Sequence, residues 1–359
     1  MRKLVLASLV LLITLVGGVS SASAARCTKT ATPTKDLRGF VETLAPGDVG
    51  CLHAGTYGAV NTSASMETSG RAFSRITLQG YPGEAKPVIL GQLAIVGDYN
   101  TLAGLVFDGP AGVIDGRQQI TVWVEGDHSI VSRNEVREND SQGIYIETAE
   151  DVKIVGNYIH GNGNVADPAV ANLDHGIYFA SGSGLIADNV IKHNYAFGVH
   201  LYPSPHDVLV EHNTIVGHGK AGVIVGAEPG APAPKNNRIV NNIIASNSEN
   251  AVTSHGPIGT GNKVQSNVFW ANGTGGATKG LTISGTIASN PLFTSSTNYT
   301  PQGLSPAIDA ALAPYSQSTD YAGTPRPQRT APDIGAYERP AWAPVMRSRA
   351  TLDEGTALW

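Results

Sequence analysis

Four short phrases of this chain share the pattern glycine, aliphatic residue, variable residue. They are Gly143-Ile144-Tyr145, Gly176-Ile177-Tyr178, Gly198-Val199-His200 and Gly222-Val223-Ile224. Side chains alternate between the two faces of a strand, so equivalent strands would place the third residues outward in one column. Tyr145, Tyr178 and His200 would then be neighbours. Phenol and imidazole groups serve as general acids and bases. The alignment therefore predicts a candidate acid–base site on consecutive strands.

The same alignment places more chemistry-bearing side chains around that column. Two residues later it predicts a second outward column with Glu147, Ala180 and Tyr202, and it places His175 three residues before Tyr178. One repeat before, Trp123 and Glu125 join if the register holds. Aromatic faces pack on sugar rings, and a long shallow surface suits a polymer. Tyr and polar residues are also ordinary on exterior strands that bind nothing. The functional role of this patch is therefore a hypothesis.

We assign roles within this patch by residue type. The candidate catalytic residues are His175, Tyr178 and His200. The candidate substrate-binding residues are Trp123, Glu125, Tyr145, Glu147, Lys192, Tyr202 and His206. A lysine such as Lys192 would neutralise a uronate carboxylate, on which charge builds when the neighbouring proton is abstracted. A Ca²⁺ ion held by carboxylates could do the same, although no compact acidic cluster demands one.

These residues need a scaffold, and a second repeat indicates what it is. An asparagine followed by β-forming residues recurs as Asn134-Glu135-Val136, Asn157-Tyr158-Ile159, Asn189-Val190-Ile191, Asn213-Thr214-Ile215, Asn242-Ile243-Ile244 and Asn267-Val268-Phe269. The asparagine spacings are 23, 32, 24, 29 and 25 residues. Two short β phrases per period of this length predict a solenoid. Asparagine tolerates turn geometry and can stack along the axis in a ladder, so we interpret these residues as structural.

The composition agrees with a turn-rich, all-β chain. The 359 residues include 42 Gly and 21 Pro, and only 15% are charged. Many short Val and Ile runs between glycines favour short strands. The formal net charge is −5, and there is no basic run. These features argue against a nucleic-acid partner.

The N-terminus is typical of a secretory signal peptide, here residues 1–24. A positive start, an apolar run over 4–19 and the small residues Ala22-Ser23-Ala24 follow one another. A retained anchor is the alternative. Cleavage predicts a secreted or periplasmic product with no membrane association. The two cysteines, Cys27 and Cys51, would then meet an oxidising compartment, which favours a disulfide over two free thiols.

The remaining segments suggest how the solenoid begins and ends. Leu37, Phe40, Val41 and Leu44 have helical spacing, so we predict a capping helix over 34–45. We expect the β-helix over 25–290 and a C-terminal capping segment and tail over 291–359. Insertions at Asn164–Leu173 and Ala227–Lys235 would form loops on the coil surface, where loops often border a binding site.

The coil rhythm, the asparagine phrases and the Gly55-Thr56-Tyr57 phrase together resemble the right-handed parallel β-helix proteins of the pectate-lyase-like superfamily. The tail phrases Ser305–Ala310, Asp320–Pro327 and Asp333–Glu338 resemble a C-terminal segment of secreted bacterial β-helix proteins, the choice-of-anchor segment. The final residues 339–359 lack a hydrophobic stretch, which favours a freely released product. The superfamily includes lyases, hydrolases, epimerases and non-catalytic proteins, so the resemblance implies the fold and leaves the activity open.

From these observations we expect a secreted, monomeric polysaccharide-active enzyme. Our first hypothesis is a lyase that cleaves a uronic-acid-containing polysaccharide by β-elimination, with an acidic glycan as partner. One alternative is a glycoside hydrolase that uses Glu147 and Glu125, because hydrolysis needs two positioned carboxyl groups. The other is a non-catalytic glycan-binding or structural protein.

Overall fold

The computed structural model describes residues 26–341, except 111, 115–116, 119, 164–173 and 276–277. The predicted signal peptide and the insertion at 164–173 lie outside the described residues. The chain forms a right-handed parallel β-helix of about 9 turns, which confirms the predicted fold class. Among the described residues, no helix is long and apolar enough to cross a bilayer.

The helix α1 spans Leu37–Val41. The strands are β1 (Lys29–Ala31), β2 (Val49–Leu52), β3 (Thr56–Met66), β4 (Ile76–Gly80), β5 (Val88–Ile95), β6 (Asn100–Ala103), β7 (Val106–Asp108), β8 (Val113–Ile114), β9 (Arg117–Gln118), β10 (Val122–Val124), β11 (Ile130–Ser132), β12 (Glu135–Arg137), β13 (Ile144–Ile146), β14 (Ala149–Val155), β15 (Tyr158–His160), β16 (Ile177–Ala187), β17 (Val190–Lys192), β18 (Val199–Glu211), β19 (Thr214–Val216), β20 (Val223–Gly226), β21 (Arg238–Val240), β22 (Ile243–Ala245), β23 (Val252–His255), β24 (Lys263–Gln265), β25 (Val268–Trp270) and β26 (Thr282–Ser284).

Each full coil contributes to three parallel sheets. The first sheet contains β10, β13, β20 and β23 with the opening parts of β16 and β18. The second contains β6, β11, β14, β21 and β24 with the closing parts of β16 and β18. The third contains β12, β15, β17, β19, β22 and β25. Inward aliphatic side chains of all three sheets form one continuous core.

The recurring asparagines occupy the corner between the second and third sheets. From Asn134 to Asn242, each Nδ2 donates to the Oδ1 of the asparagine in the next coil, and the last member, Asn267, donates to the Ile239 and Gln265 carbonyls. All six are buried. The predicted ladder is therefore confirmed. A parallel second ladder includes His218, whose Nδ1 accepts from the backbone N–H of Asn194.

Asn189 offers a test of what the ladder contributes to stability. Its Nδ2 donates to Asn213 Oδ1 at 2.9 Å and to the Ile154 carbonyl at 2.8 Å. Its Oδ1 accepts from both nitrogens of Asn157. Asn189→Ala would leave several buried polar groups without partners, so we expect the free energy of unfolding to fall by about 2–4 kcal/mol. Chemical denaturation measures this change.

Asn290→Ala is the matched control for the ladder. Asn290 is exposed, and its Oδ1 accepts one backbone hydrogen bond, from Leu292. Because water can replace that bond, we expect a change below about 0.5 kcal/mol. Equal losses in the two variants would contradict a special role for the ladder.

The N-terminal cap differs in detail from the prediction. The helix spans five residues rather than 34–45, and the Asp36 side chain caps it by accepting from the Gly39 N–H at 2.8 Å. Beyond Val41 the chain continues with three-residue turns that end at Leu44. The predicted apolar face is buried nonetheless. The predicted disulfide Cys27–Cys51 is confirmed and ties the N-terminal residues to β2.

The C-terminal segment, residues 291–341, lies along the third sheet. Ile334 and Ala336 are fully buried and belong to one apolar cluster with Val190, Ile243 and Ala245 of that sheet. The Gly335 N–H also donates to the Asn241 carbonyl at 2.9 Å. The segment therefore covers an outer face of the later coils.

Candidate functional site

The outward column of the first sheet forms as the repeat predicts. Trp123 pairs with Tyr145, Tyr145 with Tyr178, and Tyr178 with His200 in the strand register. Their ring centroids are 4.7, 5.1 and 4.8 Å apart in that order. The Tyr178 and His200 rings are stacked, with an interplanar angle of 15°. Parallel strands place equivalent residues one strand spacing apart, which accounts for this continuous ladder of rings.

A pair of histidines ends this ladder. His200 Nδ1 lies 2.6 Å from His175 Nε2, so the two imidazoles share a hydrogen bond. His175 has no exposed surface, whereas His200 is 7% exposed. His175 therefore cannot contact a polymer. We replace its predicted role as a catalytic residue by that of a neighbour that orients His200.

Both imidazoles are held in the neutral form. Burial, together with the charge of His255, lowers the pKa of His200 to about 3. Burial also holds the pKa of His175 well below its ordinary value, with added repulsion from His200 and Lys220. In the tautomer that donates from His200 Nδ1 to His175 Nε2, His175 carries its own proton on Nδ1 and the lone pair of His200 Nε2 is available as a proton acceptor.

Tyrosine hydroxyls stand beside this acceptor. Tyr178 is partly exposed, and burial together with the charge of Glu228 raises its pKa. The pKa of Tyr202 is raised by burial and by a hydrogen bond with Glu228. Its ring lies 4.9 Å from that of His200. Both hydroxyls are therefore protonated at neutral pH and can donate.

The two glutamates of the first sheet form a close pair at the other end of the ladder. Trp123 Nε1 donates to Glu125 Oε1 at 2.8 Å. Burial raises the pKa of Glu147, and so does a hydrogen bond shared with the Glu125 carboxyl group. The pair can therefore retain a proton and act together as donor and acceptor toward sugar hydroxyls.

Two site neighbours, Glu228 and His255, were missed from the sequence. Glu228 lies in the Ala227–Lys235 insertion, and its charge acts on both Tyr178 and Tyr202. His255 ends β23, where it is paired with Gly226. Phe197 lies 5.4 Å from each histidine of the pair, and Lys220 Nζ lies 5.8 Å from the Phe197 ring. The sequence signal for Glu228 was its position in an insertion that was predicted to form a loop near a binding site.

Two of the predicted binding residues lie elsewhere. Lys192 is on the third sheet, where its Nζ lies 5.1 Å from the Tyr158 ring. His206 lies in β18 at the corner between the first and second sheets, and its Nε2 lies 3.3 Å from Glu150 Oε1. The structure therefore does not bring Lys192 or His206 to the ring ladder. In the described part of the chain, no group of three or more His, Cys, Asp or Glu residues could hold a metal ion.

Comparison with known proteins supports the fold. Residues 113–231 match a family model described as a right handed beta helix region. The solved pectate lyase Pel9A is 15% identical, with a TM-score of 0.64, over 88% of this chain and 97% of that chain. An alginate lyase from Paenibacillus sp. str. FPU-7 is 17% identical, with a TM-score of 0.47, over 73% of this chain and 100% of that chain. No curated protein matches the sequence. At this identity the likeness to Pel9A shows a shared fold.

Proposed function

We propose that this protein is a lyase that cleaves a uronic-acid-containing polysaccharide by β-elimination. The observation that carries the proposal is the ring ladder from Trp123 to His200, which ends in a hydrogen-bonded pair of neutral histidines beside two protonated tyrosines. Solved structures with this fold include a pectate lyase, which adds support from likeness alone. The ladder would bind successive sugar rings along the coil axis.

The side chains allow a balanced sequence of proton transfers. His200 Nε2 accepts the proton from C5 of the uronate, and the electrons of that C–H bond form the C4–C5 double bond. The C4–O bond breaks, and the departing oxygen takes the proton of the Tyr178 hydroxyl. The proton on His200 then returns to the Tyr178 phenolate. Lys220 adds positive charge beside the pair, which opposes the charge that develops on the uronate.

The alternative of a hydrolase fits the glutamates poorly. Retaining enzymes hold their two carboxyl groups about 5–5.5 Å apart, and inverting enzymes hold them about 6.5–9.5 Å apart. Glu125 and Glu147 instead share a hydrogen bond. Sugar binding is the role that their geometry favours.

A polysaccharide panel tests the proposal. We expect incubation with pectate, alginate or a glycosaminoglycan to produce the ultraviolet absorbance of an unsaturated uronide, measured with and without a chelator. New reducing ends without that absorbance would identify a hydrolase. Binding without turnover of any acidic polymer would identify a glycan-binding protein.

We also propose that the chain is exported and that residues 1–24 are removed. The Cys27–Cys51 disulfide supports this, because disulfides persist in oxidising compartments. The likeness of the tail to a choice-of-anchor segment belongs to the same proposal. Its phrase Asp333–Glu338 packs on the third sheet, which supports a structural role for that part of the tail.

A further inference from the structure

A second candidate site lies on the second sheet, away from the ring ladder. It is a cavity of about 380 Å³, within the range of small-molecule sites. Its floor is apolar, with Ile130 and Leu185, and its walls include Arg75, Tyr99, His128 and Lys153. We propose that this cavity binds a single carboxylate-bearing sugar residue of an acidic polysaccharide. Nothing in the proposed β-elimination uses it.

Unusual backbone conformations build one wall of the cavity. Tyr99, His128 and Asp151 have φ of 53°, 57° and 54°, at the corner that precedes the second sheet in three consecutive coils. Glycine or asparagine suits this left-handed region, whereas a bulky residue there is rare and costs free energy. An aromatic residue and a histidine at two successive turns point to a use for their rings.

The two rings form a stack beside the cavity. The Tyr99 and His128 rings are stacked, with centroids 4.3 Å apart and an interplanar angle of 19°. Asp151 Oδ2 lies 3.3 Å from His128 Nδ1, which holds the imidazole in place. Sugar rings pack their C–H faces on such aromatic surfaces. Each ring covers one face of the other, and Arg75 Cζ lies over the Tyr99 ring, 5.8 Å from its centroid, so one sugar residue has the outer face of His128 and the ring edges to pack on.

Two cations face the same cavity. Arg75 is fixed in place, because Nε donates to Thr101 Oγ1 and Nη2 donates to the Asn100 carbonyl, both at 3.0 Å, and Nη2 also donates to the His128 carbonyl. Lys153 is exposed at the cavity mouth. The one carboxylate among the described lining residues is Asp151, which is paired with His128. In a chain of net charge −5, this local excess of positive charge favours a carboxylate ligand.

The rim adds a further aromatic side chain. Phe73 lies at the apex of the tight turn from Arg71 to Ser74 and is 102% exposed. Its neighbour Ala72 lines the cavity. Because consecutive Cα atoms are about 3.8 Å apart, Phe73 stands close enough to the cavity to contact the next sugar of the same chain.

Methyl NMR distinguishes this site from the ring ladder. The Ile130 and Leu185 methyl groups line the cavity, whereas the Ile224 methyl groups lie beside His200 in the first sheet. We expect a short oligouronate to shift the Ile130 and Leu185 signals, and a neutral oligosaccharide of equal length to leave them in place. Shifts confined to Ile224 would overturn the second site, and they would leave the proposed lyase function intact.

Two variants and a matched control complete the test. Lys153→Gln and Tyr99→Gly should each weaken the oligouronate affinity read at Ile130 about tenfold. Tyr99→Gly removes the ring and relieves the left-handed backbone, so the fold is retained. Lys263→Gln is the control, because Lys263 occupies the same outward column of the second sheet, outside the cavity. Unchanged affinity in both variants, or an equal loss in Lys263→Gln, would overturn the proposal.

Discussion

Replacement of His200 by alanine is expected to lower the kcat of β-elimination by about 10²–10⁴-fold, the usual contribution of a positioned acid–base group. The variant loses the imidazole that accepts the C5 proton, whereas Trp123 and Tyr145 still bind the polymer. Initial rates of ultraviolet absorbance measure the effect. Thermal unfolding of the variant must match the wild type within a few degrees, and His200→Gln provides a second variant of closer size.

Tyr178→Phe tests the other half of the proton transfer. The substitution keeps the ring that stacks on His200 and removes the hydroxyl that protonates the departing oxygen. We expect kcat to fall by a similar factor with little change in KM. Tyr158→Phe is the matched control, since Tyr158 lies on the third sheet and its loss of a hydroxyl should leave kcat unchanged. Full activity of Tyr178→Phe would remove Tyr178 from the mechanism.

The pH profile provides a check that needs no variant. Because the pKa of His200 is lowered to about 3, the base stays unprotonated in mildly acidic solution. We therefore expect kcat/KM to show no acidic limb near the ordinary histidine pKa of about 6.5. A limb centred there would contradict a neutral, buried base.

His175 acts through His200 and is a positioning residue. His175→Phe fills the same buried space but cannot share the hydrogen bond at 2.6 Å. We expect a lower kcat at unchanged KM, together with partial rescue in His175→Gln, whose amide can replace the imidazole as a hydrogen-bonding partner. A merely structural role would lower the stability of both variants and leave kcat per folded molecule unchanged.

The ring ladder could be predicted from the sequence because a parallel solenoid repeats its register. Once the Gly–aliphatic phrases are aligned, each residue two places later also has a defined face, which placed Glu147 and Tyr202 correctly beside the ladder. Lys192 was assigned by charge alone. Its own phrase, Asn189 to Lys192, belongs to the asparagine corner and so leads onto the third sheet.

Other features depend on local irregularities that no repeat encodes. The pairing of β16 with β18 shifts register twice: the first shift separates the ladder from the following corner, and the second falls at His206. Glu228 approaches the tyrosines from an insertion, whose path depends on its own turns. The cavity of the second sheet depends on left-handed turns at Tyr99 and His128. This backbone conformation usually favours glycine or asparagine, so the sequence does not predict it at these two residues.

The buried charged residues that hold the C-terminal segment could not be predicted from any repeat in the sequence, because Arg326 and Asp188 are 138 residues apart. Arg326 has no exposed side-chain surface. Its Nη2 donates to Asp188 Oδ1 and its Nη1 to Glu338 Oε2, both at 3.0 Å. Asp188 belongs to the coil and Glu338 to the segment, so this one guanidinium joins the two.

We expect Arg326→Met to lower the free energy of unfolding by about 3–5 kcal/mol, because it leaves two buried carboxyl groups without their cation. Residues 291–341 should also become sensitive to limited proteolysis. The control is Arg38→Met, which breaks an exposed pair with Glu42 at 3.4 Å and should cost less than about 1 kcal/mol. Comparable losses in the two variants would contradict a special role for the buried pair.

The same cluster should make attachment of the C-terminal segment depend on pH. Burial raises the pKa of Asp188 to about 7 and outweighs the opposing attraction of Arg326. In the unfolded chain this carboxyl group titrates near its ordinary pKa of about 3.9. Between those values the folded state binds the extra proton, so the contribution of Asp188 to stability is full below about pH 4 and is lost as the pH rises through about 7.

Asp188→Asn cannot titrate, so its melting temperature should rise relative to that of the wild type across this interval. A constant difference between the two proteins from pH 4 to pH 8 would mean that Asp188 is ionised throughout, and that Arg326 offsets its burial completely.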